Sequence, residues 1–342
     1  MKTPLIGMTL EDLRNVAAAT GMPAFAAKQM ARWLYVKRVR SIDEMTDLSK
    51  SAREGLNESY CVGIVAPKME ARSTDGTVKY LFEGVGGRDI ESVYIPDRDR
   101  ATLCVSSQAG CKMNCSFCMT GRQGFHGNLT ASAIINQVLA IPESESLTNL
   151  VFMGMGEPMD NLPAVMQAIE VLTAPWGLAW SPKRITVSTI GKIKEMRQLL
   201  DKTKVHLAIS LHSPFADERH SLMPVEGAYP AVNVVRMLRE YDFSHQRRLS
   251  FEYIMWHGVN DDMRHADAVA RLLRGLDCRI NLIRFHAIPG SSLAPATKTD
   301  MERFRDRLNE LGFIATIRAS RGEDIMAACG MLAGRKNEAS AE

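Results

Sequence analysis

Long apolar runs are missing from this 342-residue chain. No stretch approaches the ~18 apolar residues that a membrane-spanning helix needs. Residues 1–11 lack the ~7–15-residue apolar centre of a secretion signal. A membrane protein and an exported one are therefore not expected, and the cytoplasm is. Charge imbalance is also slight: 42 Lys and Arg against 39 Asp and Glu give +3, too little by itself to argue for a polyanionic partner. Internal repeats and low-complexity tracts are absent, which excludes a solenoid. What remains is ordinary for a soluble globular protein: 46% hydrophobic and 24% charged residues. The length suits one large domain with a small accessory module. Seven cysteines in a chain without a recognisable export signal suit thiols that serve metals or catalysis rather than structural disulfides.

Three of the seven lie within eight residues, Cys111, Cys115 and Cys118, spaced C-x3-C-x2-C. Thiolates so close suit a metal centre. Two centres compete. A structural zinc site wants four nitrogen or sulfur ligands, often as two separated pairs, and a second pair is missing here. An iron–sulfur cube usually takes four cysteines. Held by three, it keeps one iron open to a substrate or cofactor.

The rest of the chain divides around this stretch. Residues 1–66 read as a helical module. Thr9 with Asp12 is a capping box opening one helix, Pro23 suits the first turn of a second, and Ser41 with Glu44 opens a third. Phe25, Met30, Trp33 and Leu34 would form the second helix's buried stripe. A basic run, Lys28 to Arg40, reads either as a solvated face or as a phosphate-contacting one. Residues 67–100 read as a β-hairpin, with alternating Val78, Tyr80 and Phe82, a Gly86-Gly87 turn and a returning strand 90–95. On pattern alone Glu91 is an edge-strand carboxylate. Residues 101–325 alternate strands (102–107, 150–154, 184–189, 205–211, 249–256, 280–286) with helices (130–141, 162–173, 193–200, 231–241, 262–276). A last helix, 300–311, and strand, 313–318, follow. Six β–α units imply a parallel sheet with right-handed crossovers, too few for a closed eight-stranded barrel. The fold class is α/β, a partial TIM-like barrel. In such barrels chemistry collects at the carboxyl ends of strands. The cysteine loop, Gly154-Met155-Gly156-Glu157-Pro158, Ser188, Ser210-Leu211-His212 and His286 all fall there. Residues 326–342 form a C-terminal segment carrying Cys329, with a short polar tail, 335–342, expected to fray.

Phe117 before the last cysteine, Gly156-Glu157-Pro158 after the second strand, and Glu91, Cys104 and Cys329 in this order resemble the RlmN/Cfr family of radical S-adenosylmethionine (SAM) enzymes. The likeness spans nearly the whole chain. It implies a 4Fe–4S cluster on Cys111, Cys115 and Cys118, whose open iron chelates SAM. It implies SAM contacts at Gly156, Glu157, Ser188, Ser210, Leu211, His212 and His286, the last standing where many relatives carry asparagine. It also implies a reaction. Cys329 takes a methyl group from one SAM, and a second SAM yields a 5′-deoxyadenosyl radical that activates this methyl toward an inert adenine carbon. Cys104 then attacks the Cys329 sulfur, freeing the product through a transient disulfide, and Glu91 removes the ring proton. The substrates implied are adenosines of 23S rRNA and tRNA, methylated at carbon 2. A Cfr-type enzyme acting at carbon 8 shares the same residues. A zinc-stabilised RNA-binding protein without catalysis is the reading from another class. An electron donor such as flavodoxin and a monomeric state complete the expectation. With RNA as substrate, Lys28–Arg40, Gln246-Arg247-Arg248, Arg318 and Arg321 become candidate backbone contacts, since a target base must be exposed to react.

Overall fold

The computed structural model describes residues 2–333 other than Gln246. The expected tail 335–342 and Gln246 lie outside the described residues. A single ten-stranded sheet forms the frame. Its strands are β1 (Met69–Arg72), β2 (Val78–Phe82), β3 (Ile90–Asp97), β4 (Arg100–Cys104), β5 (Asn149–Phe152), β6 (Ile185–Thr189), β7 (His206–Ser210), β8 (Leu249–Met255), β9 (Arg279–Arg284) and β10 (Ile314–Ile317). They lie side by side in chain order. From β4 to β10 every pairing is parallel; β1 to β4 pair antiparallel.

The partial barrel thus has seven parallel strands, the seventh being β10, and its two edges do not meet. Helices Ala131–Leu139, Leu162–Thr173, Ile193–Lys202, Ala231–Leu238, Met263–Leu273 and Lys298–Glu310 cross between them. β8 is buried at every position, as a strand covered on both faces must be. A helix at Ala216–Leu222 lies in a segment for which no element is expected from pattern. Among the described residues no helix is long and apolar enough to cross a membrane.

The hairpin over 67–100 is present and gains a third strand, β1. It continues into the barrel through β3–β4, where Val93 pairs with Cys104. Glu91 is therefore interior, not at an edge: β2 lies on one side, Ser106 just beyond β4 donates to its carbonyl on the other (2.6 Å), and the residue is 6% exposed.

Two expectations for the N-terminal module change. Thr9 and Asp12 close a capping box on Leu10–Ala19 as read. Ser41 and Glu44 also form one, but it opens only a 3-10 turn, Ile42–Glu44. The third helix is Lys50–Ser59, capped by Ser49. Met30 and Leu34 are buried, but Phe25 is 64% exposed because it precedes the helix Ala26–Ala31 instead of lying on its inner face.

Candidate active site

The cysteine loop leaves β4, crosses the carboxyl rim and returns toward the helix Ala131–Leu139. Backbone bonds pin it: Cys111 N donates to Gly124 O (2.9 Å) and Ser116 N to Leu222 O (3.0 Å). Arg122 braces it, donating to Ser116 O and Pro289 O. Two adjoining cavities, each of about 150 Å³, open on this loop. One is lined by all three cysteines with Gly156, Glu157, Ser188, Ser210 and His212. The other holds Cys104 and His286. Cys118, Met153, Gly154, Arg318 and Cys329 line both.

Gly156 has φ +101°, and a Cβ there would sit 2.5 Å from Gln108 Cβ, so only glycine fits. That close approach lets Glu157 N donate to Gln108 Oε1 (2.8 Å). The Glu157 carboxylate accepts from Met159 N and Ile190 N, both at 3.0 Å. Burial nevertheless pushes its pKa up to about 7. Such a carboxyl group favours a cationic partner. His212 adopts a left-handed φ of +59°. Asn260 fixes that turn, its Nδ2 donating to His212 O (2.7 Å) and Ile254 O (2.8 Å). His212 Nδ1 accepts from Ile254 N (3.1 Å), so the proton sits on Nε2. Burial, then Arg219, lowers its pKa to about 3, leaving it neutral. Phe117 meets its ring edge-on at 5.0 Å.

Leu211 packs behind the wall, 1% exposed, with its N–H on Glu252 O and its carbonyl on Arg219 Nε. His286 faces the Cys104 side; its Nδ1 is 3.3 Å from Glu323 Oε1. Arg219 escaped the sequence reading altogether. It is 1% exposed, pairs with Glu226, and its guanidinium also reaches Ser210 O (2.9 Å) and Ile190 O (3.1 Å). A single arginine thereby ties the ends of β6 and β7 together. Its only sequence signal is an acid seven residues on, which pattern reading does not weigh.

The C-terminal segment is clamped over this rim from three sides. Met119 N donates to Gly330 O (2.8 Å) and Thr120 Oγ1 to Leu332 O (2.6 Å). Gly322 N donates to Asp75, and Ser73 to Asp324. Ala333 N donates to Glu91 Oε2 (2.9 Å), while Lys79 pairs with Glu91 Oε1 (3.1 Å). Cys329, exposed, and Cys104, buried, thus come to one cavity. Burial, then the neighbouring Cys329, pushes Cys104 up to about 12, against the pull of Arg318.

Several basic candidates are already engaged in the fold, though only Arg247 is buried. Arg247 is 7% exposed and donates to Leu200 O and Thr203 O. Arg38 donates to Ser144, and Arg40 to Leu139 O at 3.5 Å, joining the helical module to the barrel. Arg318 pairs with Glu252 (3.3 Å) beneath the two thiols, and Arg321 with Asp97.

Burial drives all three loop thiols toward the protonated form, Cys111 to about 12; Cys111 and Cys115 also feel the negative charge of their loop neighbours, and Cys118 that of Cys329. Only a bound cation would keep them as thiolates together. Three cysteines at C-x3-C-x2-C line one cavity at the rim, a donor set that leaves a 4Fe–4S cluster one open iron and leaves a structural zinc site one ligand short.

Residues 105–269 match the Radical SAM superfamily, and residues 3–62 the ribosomal RNA large subunit methyltransferase N-terminal domain. A protein of Parabacteroides distasonis, "Probable dual-specificity RNA methyltransferase RlmN", is 58% identical over 98% of both chains. One of the same name from Bacteroides fragilis is 59% identical over 99% of this chain and 98% of its own. A crystal structure of a radical SAM methyltransferase from Sphaerobacter thermophilus superposes with a TM-score of 0.90 at 39% identity, covering 96% of this chain and 99% of that one.

Proposed function

Because the chain belongs to the RlmN family of radical SAM RNA methyltransferases, we propose that it methylates carbon 2 of adenosine in 23S rRNA and tRNA through a methyl-carrying Cys329. The observation that carries this is Cys329 and Cys104 lining one cavity with the loop cysteine Cys118. A radical SAM enzyme without a methyl carrier needs neither of the first two.

Cys111, Cys115 and Cys118 hold the 4Fe–4S cluster. Gly156, Glu157, Ser188, Ser210 and His212 bind SAM on its side of the rim, Leu211 shaping the wall from behind and His286 closing the Cys104 side. Cluster and SAM supply a methyl donor and, after one-electron reduction, a carbon radical. Glu157 would accept from the SAM ammonium, which suits a buried carboxyl group that lacks a cation of its own. Neutral His212 can donate from Nε2. Cys329 carries the methyl group from one SAM of the two used per turnover. Cys104, as thiolate, then attacks the Cys329 sulfur; the sulfur–carbon bond breaks, its electron pair leaves with the carbon, which takes a proton to become the ring methyl group, and a Cys104–Cys329 disulfide is left. Glu91, braced by Lys79, takes the carbon-2 proton. The division into a helical RNA-binding module (1–66), a β extension (67–100), a barrel (101–325) and a carrier segment (326–342) follows the same reading. So do a flavodoxin-type electron donor, a monomer and a cytoplasmic setting.

Cys104→Ala tests it. That variant should retain RNA as a covalent adduct on Cys329, and release of free, fully methylated RNA would refute the role. Nucleoside mass spectrometry separates carbon 2 from the carbon 8 of a Cfr-type enzyme.

A further inference from the structure

The carboxyl rim is not the barrel's only opening. At the other end, the amino termini of five strands surround a cavity of about 740 Å³. Each contributes a basic side chain to its lining. Arg100 opens β4, Lys183 stands two residues before β6, and His206 opens β7. Arg248 immediately precedes β8, and Arg279 opens β9. No hydrogen bond or ion pair engages the Arg100, Lys183, Arg248 or Arg279 side chain among the described residues. Two carboxylates reach the lining. Glu252, at the inner end, is already held by Arg318, Asn281 and Ser250. Asp277 stands alone against the four cations.

This crowding costs stability, because like charges brought together repel. The effect registers on His206: burial, then Arg248, Lys183, Arg247 and Arg279, lowers its pKa to about 4. In β/α barrels this face ordinarily serves stability alone, and neutral polar residues would serve that better. The volume is that of a small-molecule site. Asn149, Thr186 and Thr316 add neutral hydrogen-bonding groups to the wall.

We propose that the amino-terminal mouth of the barrel is a second binding site, built for phosphate groups. Four unpaired cations in a ring match a chain of phosphates better than a single anion. The Glu252 carboxylate at the inner end repels such a ligand and keeps it at the mouth, away from the thiols. The phosphates can belong to a free oligophosphate, nucleotides included, or to an RNA backbone lying across the opening. A duplex is too wide to enter.

The test is calorimetric titration of the cluster-loaded protein with sodium tripolyphosphate at physiological salt. It compares wild type, Arg248→Gln/Arg279→Gln, and a control, Lys50→Gln/Lys298→Gln, which removes two exposed cations elsewhere. Binding should weaken at least about tenfold in the first variant, since charge-assisted contacts are lost, and less than about twofold in the control. A single-stranded RNA oligomer identifies the source. If it displaces tripolyphosphate from wild type, the backbone is the natural ligand; if not, a free oligophosphate is. The His206 ring, followed by NMR in the unmodified protein, should titrate at higher pH with tripolyphosphate present. Absence of tripolyphosphate binding, equal weakening in both variants, or an unmoved His206 titration would each overturn the proposal. None of these readouts needs methyl transfer, so failure of the catalytic reading leaves them untouched.

Discussion

Arg219 offers the sharpest energetic test of how the SAM wall is built. Arg219→Met keeps the aliphatic stem and removes the guanidinium. The Glu226 carboxylate, buried and otherwise bonded to Ala231 N, then loses its cation. Breaking one side of a buried pair costs ~3–5 kcal/mol. The carbonyls of Leu211, Ser210 and Ile190 lose a donor as well, at ~1 kcal/mol each where water cannot replace it. The sum, ~6–8 kcal/mol, is comparable with the ~5–15 kcal/mol that holds a domain together. Arg219→Met should therefore be recovered mostly unfolded, or with a urea midpoint far below wild type. The double variant Arg219→Met/Glu226→Met removes the stranded charge and should regain ~2 kcal/mol or more over the single change. Anaerobic urea titration followed by tryptophan fluorescence measures both. A single variant within ~1 kcal/mol of wild type would show that the guanidinium does not hold the rim, and the reasoning would fail.

Asn260→Ala removes three side-chain hydrogen bonds, to His212 O and Ile254 O and from Trp256 N, that join the left-handed turn at His212 to β8; SAM affinity, measured by equilibrium dialysis, should fall by about tenfold or more. Thr120→Val removes the hydroxyl that holds Leu332 O, a loss of ~1 kcal/mol that should speed alkylation of Cys329 about fivefold. His206 governs part of the acid response. Its folded pKa, about 4, lies below the ordinary 6.5, so the folded state binds fewer protons between those values. Its contribution is thus present above pH ~6.5 and lost as pH falls toward 4. His206→Asn should flatten the decline of the urea midpoint over that window; an unchanged slope would contradict the assignment.

The barrel was legible because its strands are short apolar runs spaced by amphipathic helices; six of the seven parallel strands fall within two residues of their expected bounds, and β4 ends three residues early, at Cys104. The carboxyl-rim rule puts Gly156, Glu157, Ser188, Ser210, Leu211, His212 and His286 at one end of the barrel; five of them line one cavity, Leu211 lies behind it and His286 lines the adjoining one. What pattern could not supply is long-range pairing. Glu91 reads as an edge residue because nothing local announces that β3 will join β4. Arg247 reads as a surface cation because its carbonyl partners, Leu200 and Thr203, lie more than forty residues away. Phe25 fails for the opposite reason: the periodicity was extended one turn before the helix begins. The basic ring at the amino mouth is scattered over 180 residues of chain, Arg100 to Arg279, and becomes a feature only once the strands align.

Two of the proposed reacting groups share one rigid mount. Glu91 and Cys104 sit on adjacent strands of a hydrogen-bonded ladder, on the same face, so their separation is fixed by strand geometry. Cys329 rides instead on an irregular segment held by a few discrete bonds. Division of labour follows from the mounting: the fixed pair acts as the anvil and the strap bearing Cys329 as the hammer. One of the rivets holding that strap is the Glu91 carboxylate itself, so anvil and hammer are joined through Ala333. Whatever loosens the strap there also frees one oxygen of Glu91.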